Sequence, residues 1–411
     1  MEQIKTVEIK DICLGIYEGP HATPKNSDTG AIYLGIPALD PKGFIDFSRA
    51  KRIAEEDLPL WTKRVTPQED DIVFTNEATL NLYAIIPANF HGCLGRRLGL
   101  IRPNKELVNV KYLFYYFFSP EWRETVAKNK VSGATVERIL MTKFPSFPVS
   151  LPPLKTQERI ANILSAIDAK IEVNRQINDN LELQIQALYK SWFIDFEPYK
   201  KGEFIDSELG FIPNTWKIES LSSTGNIICG KTPSKSHKEY YGGDIPFIKI
   251  PDMHNNIFVS ISEDTLTNLG VESQIKKTIP PYSILVSCIA TVGLTCINTK
   301  TCQTNQQINA YIPYKRCYLY YLYLHLRSMK DYLITLGSGG TATLNVNTSQ
   351  FSNIKVLIPD EQELIKFSEM VSPLFQTINK NCDDNRILCK IRNTLLPKLM
   401  SGELKINEID C

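Results

Sequence analysis

Tyr112-Leu113-Phe114-Tyr115-Tyr116-Phe117-Phe118 returns 206 positions later as Tyr318-Leu319-Tyr320-Tyr321-Leu322-Tyr323-Leu324. At the same offset Ser132-Gly133 meets Ser338-Gly339. Farther out, Thr23-Pro24 answers Thr232-Pro233, and Asp71-Ile72-Val73-Phe74-Thr75 answers Ser283-Ile284-Leu285-Val286-Ser287. Leu151-Pro152 answers Ile358-Pro359, followed by Gln157-Glu158 against Gln362-Glu363. The order is preserved and the offset stays between 205 and 212, so the chain is two copies of one design, each about 205 residues. Solenoid units run roughly 20–50 residues. A period this long marks duplication of a whole domain with its appendage.

A length of 411 residues exceeds what one compact core usually holds, in agreement with two domains. Hydrophobic residues at 43% and charged residues at 22% give a globular composition and argue against disordered, collagenous or low-complexity chains. Lys and Arg number 46 against 45 Asp and Glu, a net charge of +1. A protein that coats DNA by charge alone is far more basic, so this balance disfavours non-specific wrapping and leaves selective readout open. The ten cysteines include no Cys-x-x-Cys pair, and Cys288, Cys296, Cys302 and Cys317 lack the two-residue steps of a zinc ribbon. The five histidines are scattered, so no metal site is expected. Met1-Glu2-Gln3-Ile4-Lys5 carries no apolar signal core, and no run reaches the roughly 18 apolar residues of a membrane span. The expectation is a soluble protein of the reducing cytoplasm.

Within each copy a globular part precedes a helical one. Residues 1–150 and 201–358 read as mixed α/β, with short β-rich runs such as Ile72-Val73-Phe74 and Ile284-Leu285-Val286 between turn residues. Each holds one aromatic helix candidate, 110–128 and 317–336, read as a buried core helix. Residues 151–200 and 359–411 are the helical parts. Thr156 can cap a helix beginning near Gln157. Beyond it Ile160, Ile167, Asn174, Leu181 and Leu188 recur every seven residues, as do Leu164, Ile171, Asn178, Ile185 and Trp192. Together they form the seam of a coiled coil. No Gly or Pro interrupts residues 155–196, and some 40 residues at 1.5 Å each make a rod of roughly 60 Å. In the second copy Leu364, Val371, Ile378, Asn385 and Leu399 keep the period, Arg392 breaks it, and Phe367, Leu374, Leu388 and Leu395 lie beside it. Pro373 and Pro397 are expected to bend this helix. Asn174, Asn178 and Asn385 would cost stability but fix register, unless they are merely tolerated at a frayed face. The fold class is α+β: two similar mixed α/β modules joined by two long helices. Net charge divides as +1 and +3 on the globular parts against −1 and −2 on the helical ones, a weak bias in the direction nucleic acid requires.

Gly225-Asn226-Ile227-Ile228-Cys229-Gly230-Lys231-Thr232 matches the phosphate-loop pattern G-x-x-x-x-G-K-[ST]. That chemistry needs a buried strand before the loop and a helix opening at the lysine. Here Leu221-Ser222-Ser223-Thr224 precedes and Pro233-Ser234 follows, so the match is read as coincidental. Ile279-Pro280-Pro281-Tyr282 resembles the Asp/Asn-Pro-Pro-Tyr motif of amino-methyltransferases, but Ile279 cannot accept a hydrogen bond from a target amino group. Gly337-Ser338-Gly339-Gly340 follows a helix-like stretch, whereas a dinucleotide fingerprint follows a strand. No Gly-x-Ser-x-Gly or His-Glu-x-x-His occurs, and Glu55-Glu56-Asp57 and Glu69-Asp70-Asp71 read as solvated loops. No catalysis is expected of this chain.

What remains are polar loops. The first copy offers Thr23, Lys25 and Asn26, then Arg96 and Arg97, then Ser132 and Thr135. The second offers Lys231, Thr232, Ser234, Lys235 and His237 with Tyr240 and Lys249, then Asn305, Gln306 and Gln307, then Thr341. Arg and Lys suit guanine edges, Asn and Gln suit adenine, and Ser or Thr suits phosphate or base, so these are the candidate DNA-binding residues. An ordinary surface turn explains any one of them as well. Only the loops as groups carry weight.

The pattern resembles the DNA-specificity subunit of type I restriction–modification systems over essentially the whole chain. The resemblance rests on Thr232-Pro233-Ser234, on Tyr240-Tyr241-Gly242-Gly243-Asp244-Ile245-Pro246-Phe247-Ile248, and on Asn305-Gln306-Gln307. It rests also on Leu151-Pro152-Pro153-Leu154 with Gln157-Glu158, on Ser191-Trp192-Phe193-Ile194-Asp195-Phe196-Glu197-Pro198, and on Leu395-Leu396-Pro397-Lys398-Leu399-Met400-Ser401-Gly402. The first module departs from it, lacking Tyr-Tyr-Gly-Gly and carrying Gly95-Arg96-Arg97 where Asn-Gln-Gln would stand. The resemblance implies target-recognition domains at 1–150 and 201–358, each reading one half of a split, asymmetric double-stranded DNA target. It implies that the helices at 151–200 and 359–411 pack antiparallel as a ruler and dock two methylation subunits, with restriction/translocase subunits joining them. S-adenosylmethionine, ATP and Mg²⁺ would then be used on partner subunits, none being bound by this chain, and no membrane is involved. Two rival readings are a nucleotide-dependent enzyme using Gly230, Lys231 and Thr232, and a coiled-coil adaptor that binds proteins.

Overall fold

The computed structural model describes residues 4–133, 136–339 and 343–404. The chain divides into two compact units, Met1–Val173 with Asp384–Cys411, and Asn174–Asp383. The first module contains β1 (Lys5–Glu8), β2 (Cys13–Glu18), β3 (Ala31–Leu34), β4 (Lys51–Ile53), the single turn α1 (Leu58–Trp61), β5 (Ile72–Thr75), β6 (Tyr83–Ile85), β7 (Gly92–Leu94) and β8 (Leu98–Pro103). Then come α2 (Val110–Tyr116), α3 (Pro120–Asn129), the hairpin β9 (Lys130–Gly133) and β10 (Val136–Ile139), and β11 (Pro148–Leu151). The first long helix, α4, spans Leu154–Phe193.

The second module opens with the hairpin β12 (Phe204–Ser207) and β13 (Gly210–Pro213), followed by β14 (Lys217–Ser220), α5 (Leu221–Thr224) and β15 (Gly225–Cys229). After these come β16 (Tyr241–Ile248), α6 (Ile250–Met253), β17 (Phe258–Val259), β18 (Thr265–Leu266), α7 (Asn268–Glu272), β19 (Ile284–Ser287), β20 (Thr295–Asn298), β21 (Gln303–Thr304) and β22 (Ile308–Pro313). The aromatic stretch gives α8 (Tyr318–Ser328) and α9 (Lys330–Gly337); α10 (Thr348–Ser352), β23 (Lys355–Ile358) and the second long helix α11 (Glu361–Met400) complete the chain.

Set side by side, the modules share one topology. The sheet β2-β8-β5-β6 recurs as β15-β22-β19-β20, with β17 added at its edge. The sheet β4-β3-β7, in which β3 and β7 run parallel, recurs as β18-β16-β21 with β16 and β21 parallel. The antiparallel pair β1-β11 recurs as β14-β23. The expected β runs at Ile72–Phe74 and Ile284–Val286 are the fully buried strands β5 and β19. Each packs on its aromatic helices: Ile72 and Phe74 on Tyr112, Leu113, Tyr116 and Phe117 in one core, Ile284 and Val286 on Tyr321, Leu322 and Tyr323 in the other.

Two expectations are corrected in detail. The single aromatic helix expected over 110–128 is two helices, because Pro120 has no amide to continue α2 and Ser119 caps a fresh start, accepting from the Trp122 amide at 3.2 Å. The stretch 317–336 divides likewise at Met329. Helix α4 begins at Leu154 rather than near Gln157: the Pro153 carbonyl already accepts from the amides of Thr156 (2.8 Å) and Gln157 (3.1 Å), so Thr156 lies inside the first turn. The buried Gln157 side chain ties this turn down, donating to Pro152 O at 2.8 Å and accepting from the Asn109 amide at 2.9 Å. Helix α11 is continuous through both Pro373 and Pro397.

Both long helices contribute to both units. In the first unit Ile160 and Leu164 of α4 share a core with Leu396, Leu399 and Met400 of α11. The Asn385 amide group donates to Ile171 O (3.3 Å), and Arg392 pairs with Asp168 Oδ1 (2.6 Å), whose other oxygen accepts from Tyr115 OH (2.7 Å). The residue expected to break the seam thus has a half-buried acid to meet. In the second unit Ile185 packs with Leu364, Phe367, Val371 and Ile378; Asn178 accepts from Asn381 (2.8 Å), and Trp192 packs on Phe367. Within each unit, rising numbers on α4 meet falling numbers on α11, so the segments are antiparallel. Asn178 and Asn385 are hydrogen-bonded across the seam, which favours the register-fixing role over tolerance at a frayed face.

Candidate nucleic-acid interface

In the first module β3 lies between β4 and β7, with Tyr33 opposite Lys51 on one side and Cys93 on the other. The loop Gly95-Arg96-Arg97 links β7 to β8. It is clamped by its backbone: the Gly95 amide donates to Leu34 O (2.7 Å), the Leu98 amide to Gly95 O (3.1 Å), and the Gly19 amide to Leu98 O (2.8 Å). A Cβ on Gly19 would sit 2.1 Å from Gly95 O, so the two loops touch main chain to main chain. The second module repeats the clamp. The Asn305 amide donates to Ile248 O (3.3 Å), the Ile308 amide to Asn305 O (3.2 Å), and the Gly230 amide to Ile308 O (3.0 Å). Register and clamp therefore put Arg96 and Arg97 at the positions of Gln306 and Gln307.

Thr23, Lys25 and Asn26 are exposed on the loop between β2 and β3, which starts at the Gly19 contact. In the second module the loops are joined directly: Thr232 Oγ1 donates to Gln306 Oε1 (2.8 Å), and the Lys231 amide to Thr304 O (2.9 Å). Asn305 and Gln307 lock each other, Asn305 Nδ2 to Gln307 Oε1 at 2.9 Å and the Gln307 amide to Asn305 Oδ1 at 3.1 Å. Ser234 bonds Ser236 (2.7 Å), His237 stacks on Tyr240 at 4.8 Å, and Tyr241 OH donates to Pro233 O (2.7 Å). Lys235 is exposed on this loop. Lys249 is taken up in an ion pair with Asp264. The Ser132 side chain, Thr135 and Thr341 lie outside the described residues.

Sequence reasoning missed two cations. A cavity of about 310 Å³ in the first module has an apolar floor of Tyr33, Ile36, Pro37 and Leu98, and Arg49 and Lys51 join Arg96 and Arg97 around it. Arg49 and Lys51 belong to the basic run Arg49-Ala50-Lys51-Arg52, and only the β3–β4 pairing shows that they stand beside the Arg96-Arg97 loop. Arg97 Nε lies 3.4 Å from Glu77 Oε1, and Arg96 is exposed.

The geometry for phosphate-loop chemistry is missing. Residues Gly225–Cys229 of the matching motif are strand β15, and no helix opens at Lys231. Among the described residues no group of three or more His, Cys, Asp or Glu gathers as metal ligands. Burial pushes the thiols of Cys93, Cys288 and Cys302 up to about 12, so they stay protonated and make poor nucleophiles.

Comparison with known proteins adds the family. Residues 1–183 and 213–384 match the family described as type I restriction modification DNA specificity domain. The chain belongs to this family. The two matched stretches follow the duplication, one to each specificity module. The chain is 37% identical to the type I restriction enzyme HindI specificity subunit of Haemophilus influenzae, covering 74% of this chain and 80% of that one. It is 27% identical to the MjaIX specificity subunit of Methanocaldococcus jannaschii, covering 91% and 88%. Among solved structures it is similar in fold to the S subunit of a type I restriction-modification system from M. genitalium, with a TM-score of 0.61 at 15% identity over 97% of this chain and 96% of that one.

Proposed function

We propose that this chain is the DNA-reading specificity component of a type I restriction–modification complex, each module recognising one half of a bipartite, asymmetric target. The observation that carries this reading is one backbone frame presented twice with unlike side chains on equivalent clamped loops, Arg96-Arg97 in one module and Gln306-Gln307 in the other. A shared frame suits a shared task, and different side chains suit different bases. The long helices α4 and α11 set the length of the unread spacer and dock two methylation subunits, with restriction/translocase subunits completing the assembly in the cytoplasm. Chemistry belongs to those partners: S-adenosylmethionine, ATP and Mg²⁺ are used on them and not by this chain. Near-neutral charge accords with partners that share the phosphate grip.

Replacing residues 1–150 with the corresponding module of another family member tests the reading. Genome-wide methylation mapping should then show one half-site changed and the other kept. A change in both halves, or in neither, is incompatible with independent readers.

A further inference from the structure

The two reading frames differ in a systematic way. Phe247 occupies in β16 the place of Tyr33 in β3, since Tyr33 pairs with Cys93 and Phe247 with Gln303 in the parallel neighbours. Across the other edge Lys51 faces Tyr33, whereas Asp264 faces Phe247, its backbone carbonyl accepting from the Phe247 amide at 3.1 Å. One residue past the strand end, Gly35 corresponds to Lys249, which is paired with Asp264. The second frame therefore neutralises its own cation and presents the Gln306 carboxamide. The first frame has Lys51 at the place of that acid; Arg97 is paired with Glu77, whereas the side chains of Arg49, Lys51 and Arg96 have no hydrogen-bonding or ionic partner among the described residues.

We propose that the two modules read chemically unlike half-sites: guanine through the Arg96 guanidinium in the first, adenine through the Gln306 carboxamide in the second, with Arg49 and Lys51 gripping flanking phosphate. The assignment rests on the DNA-reading function proposed above. The guanine major-groove edge offers two acceptors, N7 and O6, which match the guanidinium fork; adenine offers the N7 acceptor beside the N6 donor, which match a carboxamide. The Arg96 amide donates to Tyr33 OH at 3.3 Å, which anchors the root of the side chain and leaves its head for DNA. Thr232 holds Gln306 by one lone pair of Oε1, leaving a second lone pair for an N6 donor and Nε2 for an N7 acceptor. Arg97, close to Glu77, supports the loop.

The full chain assembled with its methylation partners, used to select duplexes from a randomised library, tests this. The wild-type complex should enrich a bipartite motif with guanine in one half and adenine in the other. Arg96→Gln should reduce the preference for that guanine by roughly 5- to 150-fold, the range of one bidentate contact, and leave the other half alone. Gln306→Ala should do the same to the adenine of the other half, and it decides the matter should Arg96→Gln abolish enrichment altogether. Exchanging Arg49 and Lys51 for Ala should keep the motif while lowering the slope of log affinity against log salt by about one to two. A bipartite motif indifferent to both single substitutions, or altered in both halves by either, overturns the proposal while DNA reading stands. No motif from the wild-type complex overturns DNA reading itself.

Discussion

Gly230 presses its backbone against the Asn305 carbonyl, and a Cβ there would lie 2.1 Å from that oxygen. The obstacle is main chain, which cannot swing aside as a side chain can. Gly230→Ala is therefore expected to cost roughly 1–3 kcal/mol, visible as a lower denaturant midpoint; an unchanged midpoint would show that the clamp yields freely. His325 is set by burial instead. Its Nδ1 lies 3.0 Å from Tyr189 OH, its Nε2 is sealed without a hydrogen-bond partner, and burial pushes its pKa down to about 4. In the unfolded chain imidazole titrates near 6.5, so between these values the unfolded state binds more protons and stability falls as the pH drops. The loss should reach up to roughly 3 kcal/mol by pH 4, and His325→Leu should flatten that part of a urea-denaturation profile taken from pH 7 to 4. A slope identical in the variant would assign the acid sensitivity to carboxylates. At this scale the sequence named Arg96, Arg97, Gln306 and Gln307 as a group. It could not see Arg49 and Lys51, whose membership depends on a cross-strand neighbour.

At the level of elements, the long helices were the most legible feature. Their period-seven apolar series, free of Gly and Pro in α4, demands a continuous stripe that a partner helix must cover. The ends were less legible. Helix α4 starts three residues before the expected Gln157 because a carbonyl at Pro153 was available to it, and the aromatic stretch breaks at Ser119-Pro120 because a local cap offset the loss of one amide. In α11 the helix persists through Pro373 and Pro397, where packing of Val371, Phe375, Leu396 and Leu399 outweighs the missing donors. If these helices measure the unread spacer, one heptad inserted in α4 between Ile177 and Ile185, with a matching heptad in α11, adds about 10 Å, or close to three base pairs. Methylation mapping should then find the same two half-sites about three base pairs farther apart. An unaltered spacer would remove the ruler role.

For the molecule as a whole, the order of the chain is not the order of its cores. Residues Asp384–Cys411 follow the second module in sequence yet belong to the first unit, where Leu396, Leu399 and Met400 are buried with Ile160 and Leu164. Each of those three side chains contributes about 1.5–3 kcal/mol by burial, a large share of the 5–15 kcal/mol typical of a domain. Truncation after Asp383 should therefore loosen the first module, about 200 residues away in sequence. Hydrogen exchange should quicken in α2 while β19 of the second module keeps its protection. Equal loss in both, or none in α2, would contradict this partition.

The sequence by itself determined the duplication, the α+β class, the long helices and the candidate recognition loops. Repeats, apolar periods and turn residues are local signals that any fold of this chain has to respect. Only the tertiary structure decided which loop faces which, that Gly95-Arg96-Arg97 and Asn305-Gln306-Gln307 hang from the same clamp, and that Lys249 is cancelled by Asp264 whereas Lys51 is not. Those facts depend on strand register and on backbone carbonyls meeting across the fold, and neither is written in neighbouring residues.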